Sequence, residues 1–509
     1  MPGPTIDTVR MRIGGRAVPA SGGGTFRSFE PATRVHLADV AAGAEPDAEL
    51  AVAAARRAFD EGPWPRMTPA ERAELLAKAG DRILTEADTL SELEVRDNGS
   101  TIRKAAGCDV PGAAAAFTWS AHWAATLPDE EVAGPAPTSP RLGWRPLGVV
   151  ATIIPWNLPL LLAAWRIAPP LAAGNTVVVK PASFASLTTV RLVEILDECG
   201  LPPGVVNVVT GKGAVIGEAL VRSPGVDLVA FTGSDEVGVT VRDAAGESGT
   251  ATRLHLAGKS PNVVLADADL DAAATGVAWG MFLHNGQICM AGSRVVVHRD
   301  VHDEFVELLA ERAGRLRLGD PLDPATDLGP LVNRNQARTA RRFAQQGVAD
   351  GATLICGGGR PDDDALGLSR DGVALDSTAY CEPTILAGVG PEDTVAQEEI
   401  FGPVLSVIRA DSDEDATRIA NLSRYQLSAG VWSADPGHAG RIARRLRADQ
   451  VWVNDYRLVD VTGPEPGQAP SPLWNRLTND LDNYRRRQLV TPAPVESAAA
   501  TPFSLLGLA

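Results

Sequence analysis

Cysteine is scarce: Cys108, Cys199, Cys289, Cys356 and Cys381 are the five in 509 residues. An odd count, wide spacing and no Cys-x-x-Cys pair exclude a disulfide framework and a structural zinc site. Histidine is nearly as rare, seven scattered residues, and no metal is expected. Basic residues are outnumbered, 47 Lys and Arg against 63 Asp and Glu, for a net charge of −16. No basic tract is expected to offset that acidity, which argues against nucleic acid as a partner. Residues 1–15 lack the continuous apolar core of a signal peptide, and a reducing cytoplasm is the expected location. One long uncharged run, residues 147–165, approaches the length of a membrane span. Pro155, Asn157 and Pro159 interrupt its middle and would break a helix. It reads instead as a buried strand over 148–154, a tight loop and a packed helix, so no membrane partner is expected.

What is present is a soluble, globular composition. Gly and Pro, 50 and 38 residues, exceed the average but stay below the disordered range. At ~150 residues per domain the length implies two or three domains. The first ~145 residues read as a region rich in helices. Thr68-Pro69-Ala70-Glu71 is a capping box with Pro at the first helical position, and Leu75, Leu76, Ala79 and Ile83 share one face of the helix it opens. Trp119 and Trp123, at i, i+4, read first as core.

An alternating pattern follows. Strands are expected at 148–154, 175–180, 205–210 and 226–232, with helices at 186–199 and 214–221 between them. Strands alternating with helices, apolar almost throughout, indicate a parallel sheet covered on both faces. This is a doubly wound, nucleotide-binding layout. A second α/β pattern begins near Gly258, with strands at 262–265, 294–298, 404–409, 428–432 and 451–454 and helices at 301–315 and 334–350. The tail, 496–509, is low in charge and expected to be loosely ordered.

Four motifs carry the chemistry. Pro155-Trp156-Asn157-Leu158-Pro159 puts a polar amide at the end of an apolar strand, where ligands meet parallel sheets. Phe231-Thr232-Gly233-Ser234 follows a strand and opens a helix; Gly233 allows close backbone approach, and Ser234 suits a cap or a phosphate contact. Asn285-Gly286-Gln287-Ile288-Cys289 sets a cysteine in a small, polar, glycine-flanked loop, the setting of an accessible nucleophile rather than an inert core thiol. Glu398-Glu399-Ile400-Phe401-Gly402-Pro403 offers carboxylates suited to sugar hydroxyls.

Taken in this order, with Val177-Val178-Val179-Lys180-Pro181, Gly258-Lys259-Ser260-Pro261 and Val451-Trp452-Val453-Asn454, these motifs resemble the aldehyde dehydrogenase superfamily over roughly residues 11–456. The resemblance implies an α/β fold. Residues 1–130 and 148–256 would form a Rossmann-type doubly wound cofactor domain, and 257–456 a second α/β catalytic domain. Residues 131–147 and 457–495 would make a small oligomerisation element. It implies NAD or NADP as cofactor, a small-molecule aldehyde as substrate and a homo-oligomer, dimer or tetramer. Cys289 would attack the aldehyde carbonyl and Asn157 would stabilise the oxyanion, with the Cys289 N–H as second donor. Hydride transfer would leave a thioester on Cys289, then hydrolysed to the acid. The cofactor positions implied are Pro155, Trp156, Lys180, Ser183, Gly211, Gly233, Ser234, Glu399 and Phe401. Lys180 would meet the adenosine ribose, Ser234 the pyrophosphate, and Glu399 with Phe401 the nicotinamide ribose. Trp119 and Trp123 fall where the family lines its substrate tunnel, which points to an apolar or aromatic aldehyde.

Three departures stand out. His255-Leu256-Ala257-Gly258 puts His255 where the family has its general-base glutamate, and Ala257 where it has glycine. His255 is either the base itself, chemically suited near neutral pH, or a sign that coenzyme A takes the acyl group, or the mark of a catalytically impaired homologue with a binding or scaffold role. Retention of Cys289 and Asn157 favours the first. Ser183 replaces a glutamate of many NAD-using members; serine does not repel a 2′-phosphate, so NADP is allowed. After Asn454 the glycine-rich family pattern is lost, with Ser471-Pro472-Leu473-Trp474 in its place.

Overall fold

The computed structural model describes residues 6–126, 130–132, 139–456 and 481–491. The altered segment 471–480, most of 457–495 and the tail 496–509 therefore lie outside the described residues.

Two seven-stranded sheets organise the molecule. In the first, five parallel strands run in the spatial order Ala251–His255, Leu228–Thr232, Val149–Ile153, Thr176–Lys180, Val206–Val208. Met11–Ile13 and Arg16–Val18 extend it antiparallel. The chain starts at the centre with Val149–Ile153, winds outward to Val206–Val208, then crosses back to Leu228–Thr232 on the other side. That reversal opens a crevice between the carboxyl ends of the two central strands, the place where such sheets take ligands.

Both faces are covered, as the apolar strands predict. Val177 and Val179 pack into one core with the helices Pro69–Thr85, Val110–Thr126, Pro159–Ala172 and Leu187–Glu198. Val178, pointing the other way, packs with Val149, Ala151, Val229 and Phe231 beneath the helices Glu45–Asp60 and Asp235–Glu247. Alternate side chains of one strand thus feed opposite cores. The capping box forms: Thr68 Oγ1 accepts from Glu71 N at 3.2 Å, and Glu71 Oε2 accepts from Thr68 N at 2.7 Å. Each such cap contributes about 1 kcal/mol to its helix.

The second sheet runs Thr353–Cys356, Thr384–Ala387, Val404–Ala410, Arg294–His298, Pro261–Val264, Ser428–Trp432, Gln450–Val453. All pairs are parallel except the first. A three-stranded antiparallel sheet joins Glu130–Val132, Arg141–Pro146 and Arg485–Val490.

Several expectations need correction. Ala251–His255, Thr353–Cys356 and Thr384–Ala387 are strands, and Leu270–Phe282 is a helix, none of which the pattern predicts. The first of these is polar and half-buried at a sheet edge, so it lacks the apolar signature of its neighbours. The helix expected at 214–221 is a π-turn over Gly213–Gly217 and one α-turn, Glu218–Val221. The N-terminal region is also richer in strands than expected. A basic tract does exist: Arg485, Arg486 and Arg487 are consecutive, and the guanidinium carbons of Arg485 and Arg487 lie 3.9 and 4.8 Å from the Trp144 ring centroid. The run 147–165 is a strand, a loop and a helix, and no helix among the described residues is long and apolar enough to cross a membrane.

Candidate active site

Three strand ends of the first sheet and three loops entering the second converge on one cavity of about 300 Å³. It brings together Pro155, Trp156, Asn157, Gly233, Ser234, His255, Cys289, Glu399 and Phe401. Asn157 sits just beyond Val149–Ile153, where Pro159 at the first helical position turns the chain from strand into helix. His255 is the last residue of its strand, in register with Thr232, and its carbonyl accepts from Gly233 N at 3.1 Å.

Asn157 is buried, and its Nδ2 donates to the Gln287 carbonyl at 2.7 Å. An amide nitrogen carries two hydrogens; this bond uses one and leaves the other for a ligand oxygen. Burial pushes the Cys289 thiol up to about 11, and the Glu399 carboxylate adds to the rise; the N–H groups of Met290 and Cys289 and the Arg166 guanidinium oppose it. At neutral pH the thiol is therefore protonated, and a base must take its proton before it can attack. Gly258 lets the sheets meet here: a Cβ at that position would lie 2.0 Å from the Cys289 carbonyl oxygen.

Glu399 accepts from Gly258 N at 2.9 Å. Burial pushes its carboxyl up to about 7, with the Gly258 bond acting against the rise and Asp235 adding to it. Its neighbour Glu398 points elsewhere, pairing with Arg424 at 3.0 Å, so only one of the two adjacent carboxylates faces the cavity. Phe401 holds φ at 55° and meets Trp156 edge-on, centroids 5.2 Å apart.

Lys180, the last residue of Thr176–Lys180, lies apart from this cavity, as do Ser183 and Gly211 beyond the ends of the neighbouring strands. Ser183 Oγ donates to the Gly211 carbonyl at 2.8 Å, and Lys180 Nζ donates to the Pro181 carbonyl at 2.8 Å. Burial lowers Lys180 to about 8. The expected Ser234 cap does not form: Ser234 occupies the N-cap position with no side-chain capping bond, and its hydroxyl is exposed at the helix start. Trp119 and Trp123 pack against the first core and do not line the cavity.

Sequence reasoning missed the cavity's other walls. Leu158, Leu162, Trp165, Ile288, Met290 and Leu427 make it largely apolar, and Arg166 is its cation. Arg166 left a signal: it is the only charged residue between Arg145 and Lys180. Among the described residues no group of three His, Cys, Asp or Glu could hold a metal.

The chain matches the aldehyde dehydrogenase family over residues 18–473. It is 39% identical over 464 residues to the NADP/NAD-dependent aldehyde dehydrogenase PuuC of Escherichia coli, covering 91% of each chain. To the betaine aldehyde dehydrogenase of Bacillus subtilis it is 38% identical over 450 residues, 88% of this chain and 90% of the relative. The crystal structure of an indole-3-acetaldehyde dehydrogenase complexed with NAD+ superposes with a TM-score of 0.87 at 39% identity, covering 94% of this chain and 96% of that one. With a matching model across most of its length and relatives of this identity over nine-tenths of it, the chain belongs to the aldehyde dehydrogenase family.

Proposed function

We propose that this protein oxidises an aldehyde to a carboxylic acid with NAD or NADP, through a thiohemiacetal and a thioester on Cys289. The observation that carries the reading is the shared cavity of Cys289, Asn157, His255 and Glu399. Sheet membership supports the division into a cofactor part, a thiol part and a small antiparallel element.

The residues fit the cofactor. Gly233 and the exposed Ser234 stand at the start of the helix Asp235–Glu247, where positive dipole and backbone N–H groups favour phosphate. Glu399 and Phe401 flank the cavity with acceptor and ring. The nicotinamide, when bound, accepts the hydride. NADP is compatible because no carboxylate stands at 183, although the Ser183 hydrogen is already committed to Gly211.

Cys289 Sγ bonds to the carbonyl carbon as its proton passes to a base. His255 is that base, a residue lining the same cavity as Cys289. The carbonyl oxygen gains charge and is held by the second Asn157 N–H and the Cys289 N–H. After hydride leaves the carbon and His255 has released the thiol proton to solvent, a water deprotonated by His255 attacks the thioester, the C–S bond breaks to leave the Cys289 thiolate, and the acid departs. The apolar walls support an apolar or aromatic aldehyde, and the indole-3-acetaldehyde dehydrogenase is a relative of that kind.

A homo-oligomer is supported by the outer strand Arg485–Val490, which presents Leu489 and Val490 64% and 47% exposed. Five free cysteines fit a reducing compartment.

The test is reduced-cofactor formation over a panel of apolar and aromatic aldehydes, with and without coenzyme A, and mass spectrometry of Cys289. Steady turnover without coenzyme A is expected. A single burst that stalls as acyl-enzyme, rescued only by coenzyme A, overturns His255 as the hydrolytic base.

A further inference from the structure

The loop that carries the nucleophile is wound the wrong way. His284, Asn285 and Gly286 hold φ at 53°, 55° and 66°, three consecutive residues in the left-handed region. That region disfavours most side chains, and although asparagine and histidine enter it more often than others, they do so singly rather than in succession. Such strain persists only where surrounding contacts over-determine it. Gly286 has no alternative, since a Cβ there would lie 2.6 Å from Met281 Cε and 2.7 Å from the Gly402 carbonyl oxygen.

The restraining contacts come from one segment. Asn285 Nδ2 donates to the Gly329 and Pro330 carbonyls, each at 3.1 Å. Val332 N donates to Gln287 Oε1 at 3.1 Å, and Gln287 Nε2 donates to the His284 carbonyl at 3.2 Å. Leu331 N in turn donates to the Ala379 carbonyl at 2.8 Å, which anchors the segment. Gln287 is fully buried, and both ends of its side chain are engaged. Its main-chain carbonyl is the acceptor of Asn157 Nδ2 at 2.7 Å.

We propose that Gln287 is the positioning residue of the oxyanion amide: its side chain, pinned between Val332 N and the His284 carbonyl, fixes the carbonyl that orients Asn157. The inference rests on the reading of Cys289 and Asn157 above and adds a residue that never touches substrate. With Gln287 unpinned, the Asn157 amide turns, and its free N–H leaves the direction of the developing oxyanion. The sulfur, two residues further on, stays where it is.

The test uses p-nitrophenyl acetate with the full-length protein, needing neither cofactor nor aldehyde. Sγ bonds to the acetyl carbon, the C–O bond to p-nitrophenolate breaks, the thiol proton goes to solvent through the base, and a burst of p-nitrophenolate reports the rate. Gln287→Met should slow the burst ~10–100-fold, and Asn157→Ala ~100-fold or more. The double variant should be no slower than Asn157→Ala within ~3-fold, because one residue acts through the other. Alkylation of Cys289 by iodoacetamide, which forms no oxyanion, should change less than ~3-fold in Gln287→Met. If Gln287→Met does not fold, Gln287→Glu keeps the acceptor for Val332 N, loses the donor to His284, and should show the same non-additivity. Multiplying effects in the double variant, or alkylation falling with the burst, overturn the inference alone. Absence of any Cys289 burst in the unaltered protein overturns the underlying reading and this one with it.

Discussion

The two large sheets supply the candidate active site from opposite ends. The first offers residues just past the carboxyl ends of parallel strands: Asn157 after Val149–Ile153, Ser234 after Leu228–Thr232, His255 closing Ala251–His255. The second offers residues on loops that lead into strands: Gly258 before Pro261–Val264, Cys289 before Arg294–His298, Glu399 before Val404–Ala410. The difference is physical. Strand ends at a topological switch point make a ligand crevice by geometry alone. Loops entering strands have no such built-in crevice, so their side chains must be held by specific ties, as the Gln287 and Asn285 bonds hold the thiol loop.

The sharpest way to break that comparison is at the loop side. Cys289→Ala should lower kcat/KM by ~10⁴-fold or more while cofactor binding, followed by fluorescence titration, stays within ~3-fold. A large loss of cofactor affinity would show that the thiol loop shapes the binding half too. On the strand side, His255→Ala should cut steady-state turnover ~10²–10³-fold, with acylated Cys289 accumulating by mass spectrometry. His255→Glu should recover part of the rate. An unchanged turnover in His255→Ala removes it from the mechanism.

Smaller effects sharpen the picture. Without cofactor, alkylation of Cys289 should rise roughly tenfold per pH unit between 7 and 9, because its thiol is held up to about 11. A plateau below pH 8 would show a base already holding the proton. Smallest is a stability effect at Glu399, whose carboxyl is raised from 4.5 to about 7. The fold binds its proton more tightly than the unfolded chain does, so its contribution is full below about 4.5 and is lost as pH rises through about 7. Glu399→Gln should flatten the fall in Tm over that window, seen by calorimetry.

Much of this was legible in the sequence, for reasons that differ by residue. Apolar, β-branched strands such as Thr176–Lys180 announce themselves because burial on both faces requires that composition. Asn157 and Cys289 stand out because polar residues and glycine are out of place there unless they have work to do. The polar edge strand Ala251–His255 had no such signature, since half-burial leaves its composition free. The cavity walls were hidden for another reason: Trp165 and Leu162 read as helix core, and only the helix's rotation decides which apolar residues face a ligand. Trp119 and Trp123 failed as wall residues on the same ground. The Gln287 and Val332 bond joins positions 45 residues apart, and no local pattern encodes it.

Gly258 turns the meeting of the sheets into a rigid reference point. With no side chain between its backbone and the Cys289 carbonyl, nothing adjustable separates the link between the two sheets from the loop that carries the sulfur. A shift of that link would pass undamped to the Cys289 loop. A single methyl group at 258 would therefore act as a wedge, displacing the backbone of Cys289 itself.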